Sequence, residues 1–306
     1  MAPQPPLVRR YGTAAIAEAA ALIAAGRIVA VPTETVYGLA ADARRAEAVA
    51  AIYAAKGRPS FNPLIVHVPD LAAAEALATF DVRARDLATR FWPGPLTLVL
   101  PLRADAGIAP AVTAGLETIA IRIPAHRAIQ ALLAATGAPL AAPSANASNA
   151  ISPTTASHVV TSLGDRVPLV IDDGACPAGV ESTIVADETI LRPGPIPPEV
   201  FGLPVRSSGG ETPAAPGQLA SHYAPRKPLR LDAIDSAEDE WLIGFGPVLG
   251  DDTLSATGDL AEAAANLFAA LHRADASPAA RIAVAPVPAA GIGAAIVDRL
   301  RRAAHR

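Results

Sequence analysis

Ile28-Val29-Ala30-Val31-Pro32-Thr33-Glu34-Thr35-Val36-Tyr37-Gly38-Leu39 decides how the rest of the chain reads. Four apolar residues, three of them β-branched, make a run too short for a helix, so Ile28 to Val31 is predicted as a buried strand. Hydroxyls and a carboxylate follow at once, at the strand's carboxyl end, where open α/β sheets bind ligands. Taken alone, the loop reads first as a turn whose Thr and Glu satisfy their own backbone.

Working outward, Thr13 can cap an alanine-rich helix that stops at Gly26. A second helix, about Ala46 to Ala55, leads into Lys56-Gly57-Arg58-Pro59-Ser60-Phe61-Asn62-Pro63-Leu64, and Leu64 to Val68 is the next strand. Helices are expected at Ala72 to Ala78, Val82 to Phe91, His126 to Ala135 and Thr155 to Leu163. Strands are expected at Thr97 to Leu102, Thr118 to Ile123, Pro139 to Ala142, Leu169 to Asp172, Thr183 to Ala186 and Thr189 to Leu191. Several late strands are separated only by tight turns, which implies antiparallel pairs beside crossover units and hence a mixed sheet. After Val205, Ser207 to Gly217 continues neither period and reads as linker. Beyond it, strands at Leu229 to Leu231, Trp241 to Phe245 and Ile282 to Ala285 alternate with helices at Leu260 to Arg273 and Ile292 to Ala304, a small Rossmann-like α/β domain. The division is therefore a first domain over 1–206, a linker or lid over 207–228 and a second domain over 229–306. Gly291-Ile292-Gly293 lacks the third glycine and acidic partner of a dinucleotide fingerprint and reads as a tight turn into the last helix.

A net charge of −4 argues against a protein that coats nucleic acid, and Arg299, Arg301, Arg302 and Arg306 read as a solvated terminal face. The single cysteine, Cys176, forms no intrachain disulfide, and no Cys/His group has zinc spacing. Neither a signal peptide nor a charge-free run of about 18 apolar residues is visible, so the chain is expected to be cytoplasmic, with no membrane role. No nucleophile elbow, triad spacing or Walker loop is present.

Lys56 is one of two lysines in a chain otherwise rich in arginine. An ammonium, a guanidinium and a glycine within three positions suit phosphate; the same residues also suit a solvated helix end. Polar loops leave other strands likewise: Pro143-Ser144-Ala145-Asn146 after Leu140 to Ala142, Glu181-Ser182-Thr183 before Ile184, and Arg192-Pro193-Gly194 after Leu191. Arg122 interrupts Ile119 to Ile123, where burying a charge is costly unless an anion meets it. His67 interrupts Ile65 to Val68, as a core residue or as a ligand contact. His126, His158, His272 and His305 read as helix-surface residues. His222-Tyr223 closes the linker, where an aromatic has little structural use.

Pro32 to Leu39, Lys56 to Leu64, Trp92-Pro93-Gly94-Pro95-Leu96-Thr97, Pro143 to Asn146, Glu181 to Ile184 and Arg192 to Gly194 together resemble the threonylcarbamoyl-AMP synthase, or YrdC-like, family. The linker and small second domain resemble its longer two-domain form. The likeness runs collinearly through nearly the whole first domain. Over the second, only the general α/β pattern and Gly291 to Leu300 match.

The resemblance implies a twisted mixed β-sheet with helices around a concave cavity. It implies an L-threonylcarbamoyladenylate synthase, a nucleotidyltransferase that makes threonylcarbamoyl-AMP and pyrophosphate from L-threonine, bicarbonate or CO2, and ATP carried with Mg2+. The product serves threonylcarbamoyl-adenosine modification of tRNA through downstream transferase proteins, with tRNA contact weak or indirect. Carried over one at a time, Thr35, His67, Arg122, Ala142 and Ser182 match threonine-binding positions. Lys56, Arg58, Asn62, Thr118, Ser144, Asn146, Ser152, Arg192 and Tyr223 match ATP-binding ones, with Lys56 and Arg58 in the catalytic role and no metal ligand. Ala215-Pro216-Gly217-Gln218 departs from the serine and methionine that the family often has in its linker. Two rival readings stand beside this one. The first is an RNA-binding module without turnover; the second, a carbamoyltransferase using carbamoyl phosphate, though the chain lacks the acylphosphatase and zinc-finger segments of such enzymes.

Overall fold

The buried strand does not cross over after its polar loop but turns straight back. In the computed structural model, which describes residues 6–206 and 222–305, Val29–Pro32 pairs antiparallel with Tyr37–Asp42, Val31 opposite Gly38. Thr33 to Val36 is thus a hairpin loop. The Thr33 hydroxyl fixes it, accepting from Thr35 N at 3.1 Å and Val36 N at 3.2 Å and donating to Val36 O at 2.7 Å. The return strand was hidden in the sequence because Gly38, Ala40 and Ala41 carry little strand propensity.

The first ten strands, in chain order, are β1 (Leu7–Arg10), β2 (Val29–Pro32), β3 (Tyr37–Asp42), β4 (Ile65–His67), β5 (Leu96–Pro101), β6 (Thr118–Arg122), β7 (Leu140–Ala141), β8 (Leu169–Asp172), β9 (Thr183–Ala186) and β10 (Thr189–Arg192). They form one sheet in the order β1-β8-β2-β3-β7-β4-β6-β5-β9-β10. Parallel pairs such as β4 with β6 and β5 with β9 alternate with antiparallel ones such as β5 with β6 and β9 with β10, so the sheet is mixed, as expected. No strand was expected before Ile28, yet β1 forms the sheet's edge beside β8.

The helices of this part are α1 (Thr13–Ala24), α2 (Ala46–Lys56), α3 (Leu71–Leu77), α4 (Val82–Phe91), α5 (Pro110–Thr113), α6 (Arg127–Thr136) and α7 (Ala156–Leu163). Alternation along β2 sends Val29 and Val31 to a core shared with α1 and α6, and Ala30 to one shared with α2 and α7. In the other half, α4 covers Leu96, Leu98, Val185 and Ile190 on one face. The opposite face carries Ile65, Val99, Ala120, Ile184 and Leu191, a cluster of strand residues alone. That face is the floor of the site.

The second sheet joins β11 (Leu229–Arg230), β12 (Glu240–Gly244), β13 (Asp252–Thr253) and β14 (Arg281–Val284), all parallel, with α8 (Leu260–Ala276) and α9 (Gly293–Ala304) packed on it. Of the linker expected over 207–228, residues 207–221 lie outside the described residues.

Two expectations fail at the contact between the sheets' layers. His158 on α7 and His272 on α8 are not on the helix surface: their rings stack at 3.9 Å, and His272 Nε2 meets Ser152 O at 3.2 Å. Arg299 is fully buried and Arg302 nearly so, because α9 turns this side toward the first domain rather than to solvent. Gly179, at φ +68°, shows how close the approach is. A Cβ there would lie 2.3 Å from Ala264 O and 2.4 Å from Ala265 Cα of α8. Gly179→Ala is therefore expected to cost at least about 2 kcal/mol, read as a fall of several degrees in Tm. Gly137→Ala, at φ +57° with nothing within 4 Å, bears the backbone strain without the clash and should fall less. Equal falls would mean that the contact yields.

Candidate functional site

Three strands and four loops bring polar side chains to the floor of the second half-sheet. On β4 and β6, Ile65 pairs with Ala120 and His67 with Arg122. Alternation puts Val66, Ile119 and Ile121 into the core and leaves His67 and Arg122 side by side on the open face. On β10 alternation alone would aim Arg192 toward the α4 side with Ile190. A register shift between Ile190 and Arg192 turns it to the open face instead. The cavity they share holds about 530 Å³ of empty space including its mouth, and its lining includes Thr35, Arg58, His67, Arg122, Ala142, Ser144, Ser182, Arg192 and Tyr223. Nine expected site residues thus meet in one place.

The expected threonine-side residues are tightly bonded. Arg122 donates from Nη1 to Thr35 Oγ1 at 2.8 Å and from Nε to Gly94 O at 3.1 Å, and its Nη2 lies 2.5 Å from Glu34 Oε1. Glu34 supplies the anion that burial of Arg122 demands, a partner the sequence reading did not single out. Burial raises the Glu34 carboxyl, but the Arg122 charge and hydrogen bond outweigh it and the net value is lowered. Ser182 Oγ is 2.7 Å from Thr97 Oγ1 and accepts from Arg192 Nη2 at 3.1 Å. His67 Nδ1 is buried without a hydrogen-bond partner.

The nucleotide-side residues divide. Arg58 donates to Asn62 O at 3.2 Å and Pro63 O at 3.0 Å, and burial pushes its guanidinium down to about 10. Gly57, in the left-handed conformation, ends α2 and turns the chain so that Arg58 faces the cavity. Lys56 lies behind the lining: its ammonium is buried and donates to Ser144 O and Asn146 O, each at 2.5 Å. Asn146 braces the same loop through Ala147 O and Ala150 O. Ser152 donates to Glu181 Oε1 at 2.5 Å. Thr118 starts β6 on the face of Ala120 and Arg122, outside the lining, and Asn62 is buried beside Arg58.

His222 and Tyr223 close the wall from the second domain's side. Their rings meet edge to face at 4.0 Å, and Tyr223 also packs on Phe268 of α8. Burial, then the charges of Arg58, Lys56, Arg192 and Arg299, push His222 well below 6.5.

Residues 21–194 match the Sua5, YciO and YrdC family, described as telomere recombination, and residues 188–305 match the threonylcarbamoyl-AMP synthase C-terminal domain. The chain belongs to the threonylcarbamoyl-AMP synthase family. It is 42% identical to the threonylcarbamoyl-AMP synthase of Bacillus subtilis, covering 94% of this chain and 92% of that one. It is 38% identical to the synthase of Pyrococcus abyssi, covering 93% and 92%. The crystal structure of P. abyssi Sua5 complexed with L-threonine superposes with a TM-score of 0.90 at 35% identity over 97% of each chain. The two-domain form of the family is therefore present throughout.

Neutral buried histidines set a pH limit on this member of the synthase family. Burial and the neighbouring Arg122 hold His67 down to about 3, against the pull of Glu34. An unfolded histidine titrates near 6.5, so between about 6.5 and about 3 the unfolded chain binds a proton that the folded one refuses. Stability is full above that window and falls as pH drops through it, by about 1.4 kcal/mol per pH unit for each such histidine. Urea unfolding is expected to show lower stability at pH 5 than at pH 7, with a shallower slope for His67→Asn. Equal stability at the two pH values would count against neutral burial.

Proposed function

We propose that the cavity is where L-threonine, bicarbonate or CO2, and ATP become threonylcarbamoyl-AMP and pyrophosphate, for modification of tRNA. What supports the site is one observation: in a chain of this family, Thr35, His67, Arg122, Ala142 and Ser182 share a single cavity with Arg58, Ser144, Arg192 and Tyr223. In this reading residues 1–206 are the catalytic domain, 207–228 the lid and 229–306 the small second domain. Lys56, Asn62, Thr118, Asn146 and Ser152 serve the nucleotide from behind or beside the lining.

Threonine's amine adds to CO2 and loses a proton, giving a carbamate anion. A carbamate oxygen then attacks the α-phosphorus, the bond to the β-phosphate oxygen breaks, and pyrophosphate leaves. The attacking group is already an anion, so this displacement needs no side-chain base. The chain's task is to hold two anions in line and offset their charge. Arg122 takes the threonine carboxylate, and Arg58 and Arg192 face the phosphates. Mg2+ enters on ATP as part of the substrate. Tyr223 and His222 shut water away from an acyl phosphate that hydrolyses easily. No described helix is long and apolar enough to cross a membrane, and a product used on tRNA suits the cytoplasm, where transferase partners would receive it.

The test is pyrophosphate release with threonine and bicarbonate omitted in turn. Release is expected only with both present. ATP turnover without threonine, or salt-sensitive RNA binding without turnover, would favour another reading. The rival carbamoyl-phosphate chemistry is not favoured by the relatives, which are synthases over most of this chain.

A further inference from the structure

The last helix of the second domain supplies a side chain to the wall of the cavity. Arg299, on α9, is completely buried. It donates from Nε to Glu181 Oε2 at 2.9 Å, from Nη2 to Glu181 O at 3.3 Å and from Nη1 to Pro193 O at 2.7 Å. Its guanidinium also lies over the Tyr223 ring, 5.4 Å from the centroid. Glu181, Arg192 beside Pro193, and Tyr223 all line the cavity, yet they come from three separate stretches of chain. One buried fork joins them.

The charge matters as much as the geometry. Glu181 presents a carboxylate on the wall of a cavity that has to admit a triphosphate, and like charges at short range repel strongly where water is excluded. The Ser152 hydroxyl satisfies Glu181 Oε1 without offsetting its charge. Arg299 offsets it, and Asp298 at 2.9 Å holds the far side of the guanidinium.

We propose that Arg299 is a positioning residue through which the second domain completes the nucleotide side of the site. It holds Glu181, Pro193 and Tyr223 in one arrangement and cancels the Glu181 charge against the phosphates. This rests on the ATP-dependent reading above, and it gives the second domain a part in ATP binding beyond bracing the fold.

The experiment is calorimetry of ATP, without threonine or bicarbonate, and separately of threonine, on the full chain. Arg299→Met is expected to weaken ATP binding about tenfold or more while threonine affinity stays within about threefold. Glu181→Gln in the same chain should restore most of the ATP affinity, since the unpaired charge is gone. Arg299→Lys should fall between, because a point charge cannot span the four acceptors. Unchanged ATP affinity in Arg299→Met overturns the proposal. So does an equal loss for both ligands with no recovery in the double variant, which is what a purely structural role would give. Should Arg299→Met fail to fold, Glu181→Gln and Arg299→Lys decide. The first is expected to keep or tighten ATP binding and the second to weaken it selectively, and the reverse overturns the proposal. A wild-type chain that binds ATP but releases no pyrophosphate would sink the synthase reading while leaving this comparison intact.

Discussion

Lys56→Ala is expected to lower kcat about 100-fold or more while the KM for threonine changes by less than about threefold. Lys56 ends α2, and its ammonium bridges Ser144 O and Asn146 O while its own carbonyl accepts from Ser148 N at 2.8 Å. It therefore pins the loop after β7 that carries Ser144 into the cavity. Truncation leaves two carbonyls without their donor, at about 1 to 3 kcal/mol each, and frees the loop on the nucleotide side. The threonine side is built on β4, β6, the Thr33–Val36 loop, Ala142 and Ser182; of these only Ala142 lies on the loop that Lys56 pins, at its β7 end.

Charge separates the possible explanations. Burial, then the charges of Arg58 and Arg166, push the Lys56 ammonium well below its ordinary value, and an incoming triphosphate opposes that push. Lys56→Met keeps the packing and loses the charge, so it should be nearly as impaired as Lys56→Ala. Lys56→Arg should recover only part, since a planar fork replaces a compact ammonium between two carbonyls. Steady-state kinetics in which only the threonine KM moves would remove Lys56 from this role.

How much of this was legible depended on whether a residue's partner lay close in sequence or on a neighbouring strand. His67 and Arg122 were visible as polar breaks in apolar runs because period-2 alternation aims every second side chain at one face. Three of the second sheet's four strands were visible for another reason, as short apolar runs such as parallel strands covered on both faces show, while β13 was not visible at all. Arg299 was not, since a basic residue on a terminal helix looks identical whether it faces water or a carboxylate over a hundred positions away. His158 and His272 were misread similarly: each lies on a polar-looking helix face, and only docking of α7 against α8 turns those faces inward. Glu34 was noticed as part of a polar loop, yet its pairing with Arg122 depends on the β2–β3 hairpin, which glycine and alanine concealed.

Arg122→Met should abolish measurable threonine binding and also destabilise the fold by about 3 to 5 kcal/mol, two effects that a second substitution can separate. In the wild-type chain the guanidinium is spent on Thr35, Gly94 and Glu34 at once. Its removal strands Glu34 as a buried carboxylate, which would then take up a proton, so the destabilisation should be larger at neutral pH than in acid. Glu34→Gln added to Arg122→Met removes that stranded charge and should return most of the stability. It should not return threonine binding, because nothing else described on the open face offers a fork to a carboxylate beside Thr35 and His67. The measurements are urea unfolding and threonine calorimetry on both variants. A double variant that is stable and binds threonine normally would mean that Arg122 exists to balance Glu34, with the substrate carboxylate held elsewhere. A double variant that is stable and blind to threonine makes the pair a receptor whose acidic half keeps the basic half folded and aimed.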